Sequence, residues 1–190
     1  MTNPTGDPRA IMRLPVALAV VAALAAAPLR AQDDAQIGLP HGATPGAVTL
    51  EDLDGTPVDL GQWVGAKPVL LEFWATWCPL CERLFPELEA AHRQYGEQVE
   101  FIAVAVGVNQ SQRSIKRHLA RHPLPFRVLW DGEGDATRAY RAPTTSYVVV
   151  LDAQGRVVYT GTGEDQDIVA AVKRALPASE DQGRGGTSEN

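Results

Sequence analysis

The stretch Val69-Leu70-Leu71-Glu72-Phe73-Trp74-Ala75-Thr76-Trp77-Cys78-Pro79-Leu80-Cys81 decides the fold. Its first seven residues are apolar except for Glu72, the composition of a strand buried on both faces. After Cys78 the periodicity changes. Leu80, Leu84, Leu88, Ala91 and Tyr95 recur at helical spacing, which predicts a helix over 79–95, kinked at Pro86. A strand running straight into a helix puts Cys78 at the carboxyl end of one and the amino end of the other. Ligand and catalytic sites of open α/β sheets gather there. Cys78 and Cys81 are the only cysteines in the chain. Residues three apart in one helical turn are neighbours, so the two sulfurs can close a small disulfide ring and reopen it, a redox switch more often than a staple.

The surroundings separate redox chemistry from its rivals. A tetrahedral zinc site needs four ligands, and neither a second C-x-x-C nor a Cys/His pair at zinc spacing is present. A structural disulfide ordinarily closes a longer loop, because short loops remove little unfolded-state entropy. The pair His118 and His122 is four apart on a predicted helix. Arg117 and Arg121 alternate with it, which reads as a solvated basic face. Gly132-Glu133-Gly134-Asp135 lacks the lysine and spacing of a phosphate loop. No metal or cofactor is expected.

Working outward, Val48–Glu51 and Pro57–Leu60 flank Asp54-Gly55, a hairpin signal. Val99–Val106 is a second buried strand, Ser111–His122 an amphipathic helix, Phe126–Trp130 a short strand and Glu133–Tyr140 a short helix. Tyr147–Leu151 and Arg156–Thr160 flank the turn Asp152-Ala153-Gln154-Gly155, and Asp165–Leu176 is the last helix. Strands alternating with helices, then a closing hairpin and helix, give an α/β sandwich around a mixed sheet.

The ends read differently. Arg9 and Arg13 precede an apolar stretch from Leu14 to Leu29, followed by Leu29-Arg30-Ala31 and the acidic Asp33-Asp34. This is the plan of a secretory signal over 1–31, with cleavage expected after Ala31 and Met12 as an alternative start. An uncleaved membrane anchor is the other reading of the same segment. Residues 32–47 form an irregular Gly/Pro-rich lead-in, 48–176 the folded domain, and 177–190 a Gly/Ser/Glu-rich tail expected to be disordered. The signal places the domain outside the cytoplasm, in a periplasm, where disulfides persist and a working dithiol needs a supply of electrons. A net charge of -6 at pH 7 over 190 residues, without a Lys/Arg run, argues against a nucleic-acid partner.

Phe73-Trp74-Ala75-Thr76-Trp77-Cys78-Pro79-Leu80-Cys81 resembles the active-site signature of the thioredoxin superfamily. The hairpin before the first core strand, the extra helix and strand over Ser111–Trp130 and the leading signal resemble its extracytoplasmic TlpA/ResA-like branch. The likeness covers about residues 44–176 and implies a thioredoxin-like three-layer sandwich. It further implies a thiol–disulfide oxidoreductase that reduces disulfides of exported proteins and is recharged by a membrane electron donor. On that resemblance Cys78 is the exposed nucleophile, its thiolate favoured by the helix amino terminus, and Cys81 the resolving thiol. Pro79 stiffens the ring and Trp77 shapes the docking surface. Glu72 matches the superfamily's buried carboxylate and could take the proton of Cys81. The alternative reading of Glu72 is an edge or surface carboxylate that merely interrupts the strand.

One position departs from the pattern. The family places a cis-proline opposite the disulfide. Nine residues back from Gly155, and six forward from Tyr140, the count reaches Ser146. Thr145-Ser146 therefore occupies the slot, unless the strand is locally extended and Pro143 fills it. A non-proline cis bond costs ~3 kcal/mol, so a trans bond is expected at Ser146. The departure leaves two rivals: a peroxiredoxin-like thiol peroxidase, and a non-catalytic redox or metal-handling binding module. Peroxiredoxins require a threonine three residues before the reactive cysteine, where this chain has Ala75. Sco-like copper carriers need a later histidine, and none follows His122.

Overall fold

The computed structural model describes residues 38–177. The expected signal segment and the tail fall outside that range. Seven strands and four helices run β1 (Thr49–Glu51), β2 (Pro57–Asp59), β3 (Val69–Trp74), α1 (Pro79–Tyr95), β4 (Glu100–Val106) and α2 (Gln112–Leu119). They continue as β5 (Arg127–Asp131), α3 (Asp135–Ala139), β6 (Tyr147–Leu151), β7 (Val157–Thr162) and α4 (Ile168–Lys173).

The strands form one mixed sheet in the order β2-β1-β5-β4-β3-β6-β7. β3 and β4 pair in parallel, as do β4 and β5, while β6 runs antiparallel to β3 and β7 to β6. The hairpin β1–β2 extends the sheet beyond β5. Both hairpins turn on the same device. Asp52 accepts the amides of Asp54 and Thr56, each at 2.8 Å, and Asp152 those of Gln154 and Arg156, each at 2.9 Å. Gly55 and Gly155 supply the positive φ that each turn requires.

β3 is buried along its whole length, as its apolar run predicts. One face of the sheet packs Leu70, Phe101, Val148 and Val150 against Leu84, Leu88 and Ala91 of α1 and Ile168 and Val172 of α4. The other gathers Val69, Leu71, Phe73, Tyr147 and Val149 with Ile115 of α2, Ala136 of α3 and Tyr140. Helix, sheet and helix are the three expected layers. α1 starts and ends where the periodicity places it and carries Pro86 within it.

Candidate active site

β3 ends at Trp74, a turn closed by the Cys78 amide on the Ala75 carbonyl (3.0 Å) follows, and α1 begins at Pro79. Pro79 occupies the first helical turn, where a missing N–H costs nothing. Cys78 is the N-cap residue. Its Sγ accepts the Cys81 amide at 3.1 Å, so the sulfur takes the place of a capping oxygen. A thiolate there would gain from the same N–H and from the helix dipole. Cys78 and Cys81 are joined in a disulfide, with Cα atoms 5.4 Å apart.

The expectation of an exposed Cys78 is corrected. In the closed ring Cys78 is buried to 2 % exposure and Cys81 to 0 %. Cys78 Sγ is turned inward onto Cys81 and its amide, which leaves little of it to solvent. The surface around the ring belongs to neighbours. Among the described residues the exposed large apolar side chains are Trp77, Leu80 and Val108. Trp77 Nε1 donates to the Val108 carbonyl at 2.8 Å. Beside them lies a cavity of about 470 Å³ lined by Trp77, Val106, Val108, Pro143, Thr144 and Thr145, among others.

Glu72 is fully buried, and neither carboxylate oxygen has a hydrogen-bond partner. It pairs across the sheet with Ala103 and Val148, on the face that α1 and α4 cover, so the edge or surface alternative fails. Burial alone raises its pKa well above the ordinary carboxylate value. Two residues on, the buried Trp74 leaves its Nε1 unpaired. His118 is not on a solvated face. Half-buried, it packs 5.7 Å from the Trp74 ring, and burial lowers its pKa.

Thr145 is half-buried on the cavity wall, and Pro143 and Thr144 are exposed there. Ser146 is buried and left-handed, with φ at +60°, and its amide donates to the Phe73 carbonyl at 2.7 Å. No peptide bond among the described residues is cis.

The structure adds two residues that sequence reasoning missed. Gln110 Oε1 accepts the Thr76 amide at 3.0 Å, and its Nε2 donates to the Val106 carbonyl at 2.7 Å. One side chain thus ties the end of β4 to the turn two residues before Cys78. Gln166, 7 % exposed, reaches the carbonyls of Ser146 and Gly163. Both act on backbone groups of distant segments, which leave no pattern in sequence.

A family model described as Redoxin matches residues 40–176. The chain belongs to the Redoxin family. It is 30% identical over 172 residues to a thiol-disulfide oxidoreductase ResA of Geobacillus thermodenitrificans, covering 89% of this chain and 97% of that one. A ResA of Halalkalibacterium halodurans is 35% identical over 115 residues, which span 60% of this chain and 64% of that protein. Among solved structures, a secreted disulfide oxidoreductase of Mycobacterium tuberculosis matches with a TM-score of 0.57 and 25% identity, over 66% of this chain and 94% of that one. The fold is thioredoxin-like, and with its Cys78–Cys81 pair this member of the family is a thiol–disulfide oxidoreductase.

Proposed function

We propose that the chain works outside the cytoplasm as a reductant of protein disulfides, with Cys78 as nucleophile and Cys81 as resolving thiol. The observation that carries this reading is the Cys78 sulfur at the N-cap of α1, holding the Cys81 amide, flanked in sequence by the exposed Trp77 and Leu80, with Val108 hydrogen-bonded to Trp77. In the reduced state the Cys78 thiolate attacks one sulfur of a substrate disulfide. The substrate S–S bond breaks, a mixed disulfide forms, and the released substrate thiolate takes up a proton. Cys81 then loses its proton and attacks Cys78 Sγ. The Cys78–Cys81 bond closes, the second substrate thiol leaves, and two electrons have passed to the substrate.

Glu72 is the proposed proton acceptor for Cys81. Burial raises its pKa toward that of a thiol, so its ionised form is a stronger base toward Cys81 than an ordinary carboxylate. Trp77 and Thr145 form two walls of the surface on which substrate lies, and Pro79 stiffens the ring.

The sequence features of residues 1–31 support export, and the Mycobacterium tuberculosis relative is described as secreted. No helix among the described residues is long and apolar enough to cross a membrane. In an oxidising compartment the dithiol needs an electron donor, for which a membrane-bound thiol reductase is the chemical class.

Trapping tests the reading. Cys81→Ser, expressed in the native host, should accumulate mixed disulfides through Cys78 with exported proteins and with the donor. Failure to trap any partner, together with no reduction of insulin by the wild-type chain, would remove the reductase reading.

A further inference from the structure

Ser146, which the residue count puts at the family's proline position, is held from several sides. Ser146 spends every polar group it has. Its amide donates to Phe73, its Oγ donates to the Gly163 carbonyl at 2.9 Å, and its carbonyl accepts the Gly163 amide at 3.1 Å. The same carbonyl also accepts Gln166 Nε2 at 3.2 Å. Gln166 Nε2 donates in addition to the Gly163 carbonyl at 2.7 Å, and Gln166 Oε1 accepts the Tyr159 hydroxyl at 3.1 Å. The result is a closed ring: Ser146 Oγ to Gly163 O, Gly163 O to Gln166, Gln166 to Ser146 O, and Ser146 O to Gly163 N.

A buried side-chain amide fully occupied in this way is costly to misplace, because each lost bond strands a desolvated partner. The ring also holds a serine at φ +60°, a conformation that L residues adopt only when their surroundings impose it. Such imposed conformations cluster at functional sites. Here the segment before Ser146 is Thr144–Thr145, which shares a cavity wall with Trp77, next to Cys78. Beside the ring, Glu164, adjacent to Gly163, forms a partly exposed ion pair with Arg83, two residues after Cys81. Gly161 leaves the room this needs. A Cβ there would collide with the Tyr159 hydroxyl and with Gln166 Oε1.

We propose that Gln166 is a positioning residue that clasps Ser146 in the left-handed conformation and so fixes Thr144–Thr145 as the wall against which a protein substrate lies. The clasp stands in for the rigidity that a proline ring would give. It acts on the fit of a polypeptide and not on the sulfur chemistry. A small disulfide does not need the wall. This assignment rests on the reductase reading.

The test compares a large and a small substrate. Gln166→Leu should raise KM for insulin about tenfold, the equivalent of two lost hydrogen bonds. It should leave the rate with Ellman's reagent and the equilibrium with glutathione within twofold of wild type. Gly161→Ala, which displaces the Tyr159–Gln166 contact from outside, should act in the same direction. Glycine adopts positive φ without strain, so Ser146→Gly in the Gln166→Leu background should recover at least threefold of the loss. An insulin KM within twofold of wild type, or equal losses on both substrates, would overturn the proposal. If Gln166→Leu does not fold, Tyr159→Phe serves instead, with about a threefold rise in insulin KM expected and no rise refuting it. A wild-type chain that reduces neither substrate would overturn the reductase reading. The clasp is then judged by hydrogen exchange of the Ser146 amide, expected at least tenfold faster in Gln166→Leu, and overturned by equal rates.

Discussion

Replacing Glu72 by glutamine should make the protein's stability respond differently to pH. Glu72 is fully buried with both oxygens unpaired, and burial holds its native pKa well above the ordinary carboxylate value of 4.5. The unfolded chain therefore loses the Glu72 proton near pH 4.5, while the native state keeps it. Below that pH both states are protonated and the group contributes no slope. Above it the native state binds one proton more, and native stability falls by about 1.4 kcal/mol for each pH unit until the native carboxyl ionises. Beyond that point the loss is constant. Glu72→Gln keeps shape and volume and removes the titration. Urea unfolding of the oxidised protein should be followed at half-unit steps from about pH 5 to 8 with the disulfide intact. The stability of the variant relative to wild type should climb with pH at that slope and then level off, and the break marks the native pKa. A flat difference would show that the carboxyl ionises as it does in water, and the argument for a buried proton acceptor would fail with it.

Three other expectations follow from single contacts. Gln110→Leu leaves the Thr76 amide and the Val106 carbonyl unpaired, which should lower stability by about 1–3 kcal/mol and slow disulfide reduction, read by urea unfolding and the insulin assay. Trp77→Ala removes a half-exposed side chain from the apolar surface, so insulin KM should rise several-fold while the melting temperature stays within a few degrees, because little packing is lost. Asp131 is buried and accepts the amides of Ala136 and Thr137 and the Thr137 hydroxyl. Asp131→Ala should therefore cost about 3 kcal/mol by frayed entry into α3, measured by chemical denaturation.

The parts of this molecule governed by local rules were legible in its sequence. β6 spans Tyr147–Leu151 and α1 spans Pro79–Tyr95 because a continuous apolar run and a 3.6-residue period admit few other readings. The carboxylate was legible only in part: the apolar residues on both sides of Glu72 pointed inward, but an edge position stayed open until the sheet order placed β3 between β4 and β6. α4 shows where local reading stops. Helical periodicity carries back to Asp165, but the helix starts at Ile168, with Asp167 as its cap and the Gln166 side chain engaged by Ser146 and Gly163. α2 is likewise shorter than its amphipathic stretch, beginning after the Ser111 cap. The burial of Cys78 was hidden for a related reason. It depends on where the sulfur turns once the ring closes, which is set by the Cys81 amide and not by the polarity of neighbours.

Proline and glycine at position 146 should affect stability very differently. Proline fixes φ near −65° and has no N–H. Ser146→Pro would have to swing φ from +60° to the other side of the map and would give up the amide bond to Phe73. The expected cost is about 3 kcal/mol or more, although the change restores the residue type of the family pattern. Ser146→Gly meets the opposite balance. It relieves left-handed strain of about 1 kcal/mol, loses one hydroxyl hydrogen bond of similar size, and adds some unfolded-chain entropy. Its stability should stay within about 1 kcal/mol of wild type. Chemical denaturation of the two oxidised variants measures both. A proline variant as stable as the glycine one would mean that residue 146 is not held left-handed. The contrast matters because two rigid solutions to the same problem are then mutually exclusive. A chain that clasps a serine through Gln166 and Gly163 cannot take proline at position 146 without losing the clasp.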